Sequence, residues 1–275
     1  MSNSLVVVVP CFNEQSRLRP EGFSELTRRG KTRILFVDDG STDATGDVLE
    51  GMCRTLRSAS VLRFDRNQGK AEAVRRGMLH ALSSHATFVG YLDADLATPP
   101  EEMIRVVDAL HGSAAQVALG CRVQTPGARI ARNFRRRFLG RAFSLAASAA
   151  LGARFRDTQC GAKTFRAGES LRAALDEPFH ARWAFDVELL GRLLTGSRAV
   201  LPLRRDQFLE VPLQSWHEVP GSKLRAKDIP LLGVELLRVA WELARLRAEL
   251  RAPAELPAPI EEVEESAPAR VAGAG

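Results

Sequence analysis

Asp93 and Asp95 stand one residue apart at the end of the apolar run 87–92. A strand puts residues i and i+2 on one face, so this spacing aims both carboxylates at one spot past the sheet edge. Carboxylate oxygens suit Mg²⁺ and Mn²⁺, and Mg²⁺ is commonly held by one or two carboxylates together with substrate phosphates. The pair is a candidate metal–diphosphate seat, although Asp-x-Asp also arises in turns and helix caps. Two more polar clusters have the same placement. Pro10, Cys11, Phe12, Asn13 and Glu14 follow the run 5–9, and Asp38, Asp39, Gly40, Ser41, Thr42 and Asp43 follow 33–37. Any one of these residues could merely build a turn. Three clusters at three strand ends point to one crevice, because open parallel sheets bind ligands beyond the carboxyl ends of their strands. Lys70, after Gly69 at a predicted helix start, adds a cation where helix N-termini favour phosphate.

The elements that must carry these groups follow from the hydrophobic pattern. Apolar runs at 5–9, 33–37, 60–64, 87–92 and 115–119 predict strands, with helical spacing near 21–29, 43–57, 69–83 and 100–111 between them. Continuously apolar strands alternating with helices predict an α/β chain with a mostly parallel sheet covered on both faces. Ser41 and Asp43 are cap candidates for the second helix, and Thr98 before Pro99-Pro100 for the fourth. The second half is less regular, with strands predicted near 160–166, 199–203 and 207–212 and a helix near 183–196. Residues 129–150 open with Arg129, Arg132, Arg135, Arg136, Arg137 and Arg141 and pass into an apolar stretch. A last, amphipathic helix near 231–250 carries Glu235, Arg238, Glu242, Arg245 and Glu249 as one charged stripe. Residues 252–275, rich in Pro, Ala and Glu, read as a disordered tail.

Length and composition allow a full core, with 275 residues, 45% apolar and 26% charged. The 39 Lys and Arg against 33 Asp and Glu give a net charge of +6. That excess suits a nucleic acid, an anionic lipid surface or a phosphorylated substrate. Cys11, Cys53, Cys121 and Cys160 form no C-x-x-C pair, which argues against structural zinc and a disulfide scaffold. The start Met1-Ser-Asn-Ser reads as no leader peptide, and no uncharged apolar stretch approaches the ~18 residues of a spanning helix. A cytoplasmic protein is the expectation.

Taken together, Val-Pro-x-x-Asn-Glu at 9–14, Val-Asp-Asp-Gly-Ser-Thr-Asp at 37–43, Asn67-Gln68-Gly69-Lys70 and Asp93-Ala94-Asp95 resemble family-2 glycosyltransferases of the glycosyltransferase A (Rossmann-like) fold. Asp157-Thr-Gln-Cys-Gly-Ala-Lys163, Arg182-Trp-Ala-Phe-Asp-Val-Glu-Leu189 and Glu218-Val-Pro-Gly-Ser-Lys-Leu224 resemble the dolichyl-phosphate β-glucosyltransferase branch, close to dolichyl-phosphate mannose synthases. The match covers about residues 4–228. It implies a catalytic domain over 1–228, with a nucleotide-sugar part at 1–125 and an acceptor part at 126–228, followed by the helix at 229–251. The implied reaction moves a hexose from a nucleotide-diphosphate sugar to a polyprenyl phosphate, with inversion.

The resemblance also implies roles. Pro10, Asn13, Glu14, Asp38, Asp39, Gly40, Ser41, Gly69 and Ala94 form the donor site, with Gln159 and Trp183 near the sugar. Asp93 and Asp95 hold Mg²⁺ or Mn²⁺, Lys70 assists the leaving phosphate, and Asp186 takes the place where hydroxyl-accepting relatives carry a base. A lipid phosphate needs cationic docking instead of a base, and Arg122, Arg132, Arg136 and Lys223 are the candidates. The arginine-rich segment and its apolar continuation suit an anionic membrane surface. The last helix could rest there, pack in a homodimer or meet a membrane-protein partner. His217 is read as structural. Ala97 stands where many mannose synthases place a metal-binding glutamine, which favours UDP-glucose over GDP-mannose. The other readings are transfer to a sugar hydroxyl with Asp186 as base, and a basic nucleic-acid-binding protein, which lacks a stacking motif.

Overall fold

The computed structural model describes residues 4–28, 32–130, 134–219 and 229–252. Its centre is a seven-stranded sheet made of β1 (Leu5–Cys11), β2 (Thr32–Asp38), β3 (Ala59–Arg63), β4 (Phe88–Leu92), β5 (Val117–Cys121), β7 (Ala162–Arg166) and β8 (Phe208–Pro212). The order is β3-β2-β1-β4-β7-β5-β8, parallel throughout except for β7, which runs antiparallel to both neighbours. A separate parallel pair joins β6 (Arg129–Ile130) to β9 (Ser215–Trp216). The helices are α1 (Pro20–Arg28), α2 (Thr45–Thr55), α3 (Lys70–Ser83), α4 (Pro100–His111), α5 (Phe134–Leu151), α6 (Glu169–Leu175), α7 (Phe185–Thr195) and α8 (Ile229–Arg251).

The run of valines in β1 explains its central place, since every residue of that strand is buried. Alternate side chains feed two separate cores. Val6 and Val8 pack with α3, α7 and α8, whereas Val7 and Val9 pack with α1, α2 and α4. Each fully buried valine contributes about 2 kcal/mol from apolar burial. Gly77 lets α3 lie close against β1, because a Cβ there would stand 2.5 Å from Val8 Cγ1.

This order fixes where a ligand can sit. The chain reverses direction of travel across the sheet between β1 and β4, and the crevice lies outside the carboxyl ends of those strands. Because β7 is antiparallel, its start meets the end of β4, with Ala162 paired to Leu92. The segment 157–161 therefore arrives beside Asp93.

Several expectations are corrected. Residues 199–203 form no strand: Gly196 ends α7 at φ +73°, Val200 closes a turn with Ser197, and Leu201 is 85% exposed. Pro202 has no N–H to give a ladder. Helix α2 begins at Thr45, whose N–H is satisfied by Asp43 Oδ1 at 2.9 Å, while Ser41 plays no cap role. Pro99, not Thr98, takes the N-cap of α4, and Thr98 is buried against Cys160. The tail from 253 onward lies outside the described residues.

Candidate active site

The end of β1 and the end of β2 are stitched together by their own polar groups. Asn13, in the left-handed region at φ +50°, donates its backbone N–H to Ser41 Oγ at 3.1 Å and accepts from the Thr42 N–H at 2.9 Å. The Glu14 N–H donates to Thr45 Oγ1 at 2.8 Å. Asp38 accepts from the Ser41 N–H at 3.0 Å and faces Arg63 at 3.3 Å. Gly40, at φ +65°, passes so close to the Arg66 backbone that no side chain fits there. Asn13, Asp38, Gly40 and Ser41 are thus taken up in joining the ends of β1 and β2, and none of the four lines the groove described below.

Asp39 turns the other way. Its two carboxylate oxygens accept the N–H groups of Gln68 and Gly69 at 2.7 and 2.8 Å, which holds the loop before α3 over the end of the sheet. That loop delivers Lys70, whose Nζ stands 2.6 Å from Asp93 Oδ1. Glu14 is gripped by both Nε and Nη2 of Arg17 at 2.7 and 2.6 Å, and Arg17 Nη1 reaches to 4.0 Å from Asp95 Oδ2. Pro10, Glu14, Asp39, Gly69, Lys70, Asp93, Ala94, Asp95, Gln159 and Trp183 all line one groove of about 1870 Å³. The far end of that groove is walled by α5 and α8 through Leu139, Phe143, Leu145, Leu232 and Leu236.

The electrostatics of the aspartate pair suit a cation. Burial, then repulsion from Asp93, raises the Asp95 pKa above the ordinary carboxylate value. Burial opposes the charge on Lys70, but Asp93, Asp186 and Asp95 outweigh it and hold the ammonium above the usual lysine value. Two hard carboxylates, one of them electrostatically uncomfortable, fit a divalent ion. No group of three or more His, Cys, Asp or Glu able to hold a metal occurs among the described residues, so the remaining ligands would be substrate phosphates. Leu96 follows the pair at φ +52°, a conformation that branched side chains seldom adopt.

Asp186 is placed behind the groove and is 5% exposed. It takes a short hydrogen bond from the Tyr91 hydroxyl and an ion pair from Lys163 Nζ at 2.9 Å. Lys163 is fully buried, and its other contacts are the Tyr91 hydroxyl at 2.8 Å and the Cys160 carbonyl at 2.6 Å. The three donors of an ammonium are thereby all used. Burial and the Asp186 charge push the Tyr91 pKa well up, so the phenol keeps its proton.

Of the acceptor-side residues, Arg122 is held in a two-pronged bond by Asp157 at 2.7 and 2.8 Å. That carboxylate overcomes the cost of burial and raises the guanidinium pKa further. Arg132 and Lys223 lie outside the described residues, and Arg136 sits in α5 with its side chain outside them. Gln159 Nε2 is buried and has no hydrogen-bond partner among the described residues, which leaves a donor open in the groove wall. The His217 N–H bonds the Ala97 carbonyl at 3.1 Å.

Sequence reasoning did not single out Arg17, Tyr91, Gly161, Lys163 or Arg182 as site residues. A lysine in the middle of the strand-like run 160–166 was a visible signal, since buried charges need partners. For Arg17 the signal was absent, and Gly161 stood inside the 157–163 motif with no role read for it.

The model of Glycosyl transferase family 2 matches residues 6–169. Dolichyl-phosphate beta-glucosyltransferases from Saccharomyces cerevisiae and Homo sapiens are each 31% identical, over 88% and 90% of this chain and 74% and 80% of their own lengths. A relative of the same name from Trichomonas vaginalis is 30% identical over 85% of this chain and 69% of its own. Among solved structures, glucosyl-3-phosphoglycerate synthase from Mycobacterium tuberculosis, crystallised with Mn²⁺, UDP and glucosyl-3-phosphoglycerate, superposes with a TM-score of 0.63 at 19% identity, covering 89% of this chain and 81% of that one. That likeness speaks for the glycosyltransferase A fold. With its strand-end carboxylates gathered in one groove and the family model spanning 6–169, the chain belongs to glycosyl transferase family 2.

Proposed function

We propose that the protein transfers glucose from UDP-glucose to a polyprenyl phosphate of the dolichyl type, with inversion, at the cytosolic face of a membrane. The observation that carries this reading is one continuous groove: Asp39, Lys70, Asp93 and Asp95 at its polar end, and the apolar sides of α5 and α8 at the other. The names of the relatives supply the sugar and the lipid phosphate, and the Ala97 position favours UDP-glucose over GDP-mannose. Residues 1–125 serve the donor, and 126–228 the acceptor.

The loop Pro10–Glu14 and Asp39 form the seat for the base and ribose. Asp93 and Asp95 would hold Mg²⁺ or Mn²⁺, which when bound neutralises the charge gathering on the leaving diphosphate. Lys70 adds a fixed positive charge at the same place, where it is worth most because water is partly excluded. Gln159 Nε2 offers its unused N–H to the sugar or the diphosphate. An acceptor phosphate carries about −1.5 to −2 charges near neutral pH, so its own oxygen can attack without a base. Asp186 is matched by Lys163 and Tyr91, which favours a positioning role for it over proton abstraction.

No helix of the described residues is long and apolar enough to cross a membrane. The outer row of α8, with Leu231, Val234, Leu237 and Trp241 exposed, supports peripheral contact instead. The deciding experiment offers radiolabelled UDP-glucose and GDP-mannose with polyprenyl phosphate and a divalent ion. Label entering the organic phase from UDP-glucose is the expected result. Label confined to water-soluble product would overturn the reading.

A further inference from the structure

At the aspartate end of the groove, the cations already described each face a carboxylate: Arg17 faces Glu14, Lys70 faces Asp93, and Arg122 faces Asp157. Arg182 is different. It lines the same groove, and it makes no hydrogen bond or ion pair with any described residue. Its guanidinium rests beside the start of α3, where a Cβ on Gly69 would stand 3.8 Å from Nε and 3.9 Å from Nη2. Gly69 has no side chain to cover it, and the next residue is Lys70.

The backbone carrying Arg182 is fixed from behind. Glu235 Oε2, on α8, accepts the N–H groups of Trp183 and Ala184 at 2.8 and 3.0 Å. The same helix supplies Leu232 and Leu236 to the groove wall. Arg182 is therefore held at the junction between the diphosphate end and the apolar end. A planar guanidinium without a carboxylate partner is suited to two parallel bonds to a phosphate. A phosphate placed there has its apolar substituent beside α8 and α5.

Resting on the glucosyl-transfer reading, we propose that Arg182 is a residue that binds the phosphate of the lipid acceptor. In the step it serves, an acceptor phosphate oxygen forms the new bond to the anomeric carbon. The bond from that carbon to the donor's diphosphate oxygen breaks, and its electron pair leaves with the diphosphate. No proton moves, and Arg182 offsets the acceptor's charge as it approaches that of the donor.

The test uses the full chain with UDP-glucose, a divalent ion and polyprenyl phosphate in micelles, comparing wild type, Arg182→Gln and Arg182→Lys. For Arg182→Gln, the KM for the lipid phosphate is expected to rise roughly tenfold to a hundredfold. Arg182→Lys recovers part of that loss. UDP affinity by calorimetry and the melting temperature stay at the wild-type values, because Arg182 is exposed and touches no donor-side carboxylate. An unchanged lipid KM, or a loss that appears in UDP affinity instead, would overturn the assignment while leaving the glucosyl-transfer reading intact. A soluble phosphate monoester turned over equally well with the same Arg182 dependence would overturn the lipid half. Wild-type protein that labels no lipid phosphate overturns both.

Discussion

The carboxylate of Asp93 occupies the space that a β-carbon on Gly161 would need. The two backbones are also joined, since the Asp93 N–H donates to the Gly161 carbonyl at 3.1 Å. Glycine at 161 is therefore a condition for the Asp93 rotamer that meets Lys70. Gly161→Ala forces the carboxylate aside, and a displacement of about 1 Å near the reacting centre costs roughly a hundredfold in rate. Steady-state kinetics should show that loss in kcat/KM, with overpacking lowering stability by only about 1–3 kcal/mol. Wild-type kinetics in Gly161→Ala would mean that the Asp93 position does not matter.

The aspartate pair carries an electrostatic cost. Burial and Asp93 raise the Asp95 pKa in the folded protein. A carboxyl with a raised folded pKa stabilises most below its unfolded pKa, and that contribution is lost as pH rises through the folded value. Without divalent ions, this group makes the protein less stable on going from acid toward neutral pH. Asp95→Asn removes the effect and should gain about 1 kcal/mol at pH 7. Divalent ion with UDP should stabilise the wild type by about 2.7 kcal/mol at a hundred times Kd, and the variant hardly at all. Thermal melts from pH 4 to 7, with EDTA or with Mn²⁺ and UDP, read both effects. EDTA should also abolish turnover, and restored Mn²⁺ or Mg²⁺ should return it.

Lys163 and Asp186 form a buried pair, and removing one partner strands the other. Lys163→Met should cost about 3–5 kcal/mol, and the double change Lys163→Met with Asp186→Leu should recover much of it. Denaturant unfolding measures both. The pair also separates the acceptor chemistries. Asp186→Asn should lower turnover without removing the acid limb of the pH–rate profile, because on the proposed reading the acceptor phosphate arrives already charged. Loss of that limb would make Asp186 a general base and favour a hydroxyl acceptor.

How far the sequence could be read depended on the range of each interaction. The parallel strands and the gathering of 10–14, 38–43 and 93–95 at one edge followed from period and connection alone. What Asp38 and Asp39 each do did not, because adjacent residues of the same type differ only in which partner they meet: Arg63 for one, the Gln68 and Gly69 amides for the other. Arg122 read as a free cation until Asp157, 35 positions on, closed on it. The charged stripe of α8 divides in the same way. Glu235 turns inward to Trp183 and Ala184, and Glu242 toward His180, while Arg245 and Glu249 pair outside. Helical spacing showed that those charges shared a face, but not that a second helix start lay under half of it.

The outer row of α8 gives the last prediction. Leu231, Val234, Leu237 and Trp241 follow one another at three- and four-residue intervals, and Leu237 is 73% exposed. None of them lines the groove, and the buried side of the helix is carried by Leu236, Val239 and Leu243. Changing Leu237 and Trp241 to serine should therefore leave the fold and the polar site intact. Each apolar side chain of this size contributes about 1.5–3 kcal/mol when it leaves water, so the double variant should bind anionic vesicles at least tenfold more weakly in a sedimentation assay. Turnover of vesicle-bound acceptor should fall with it, whereas turnover of a short, water-soluble polyprenyl phosphate should not. If the row instead met a second copy of the chain, light scattering would show a dimer falling to a monomer, with vesicle binding unchanged.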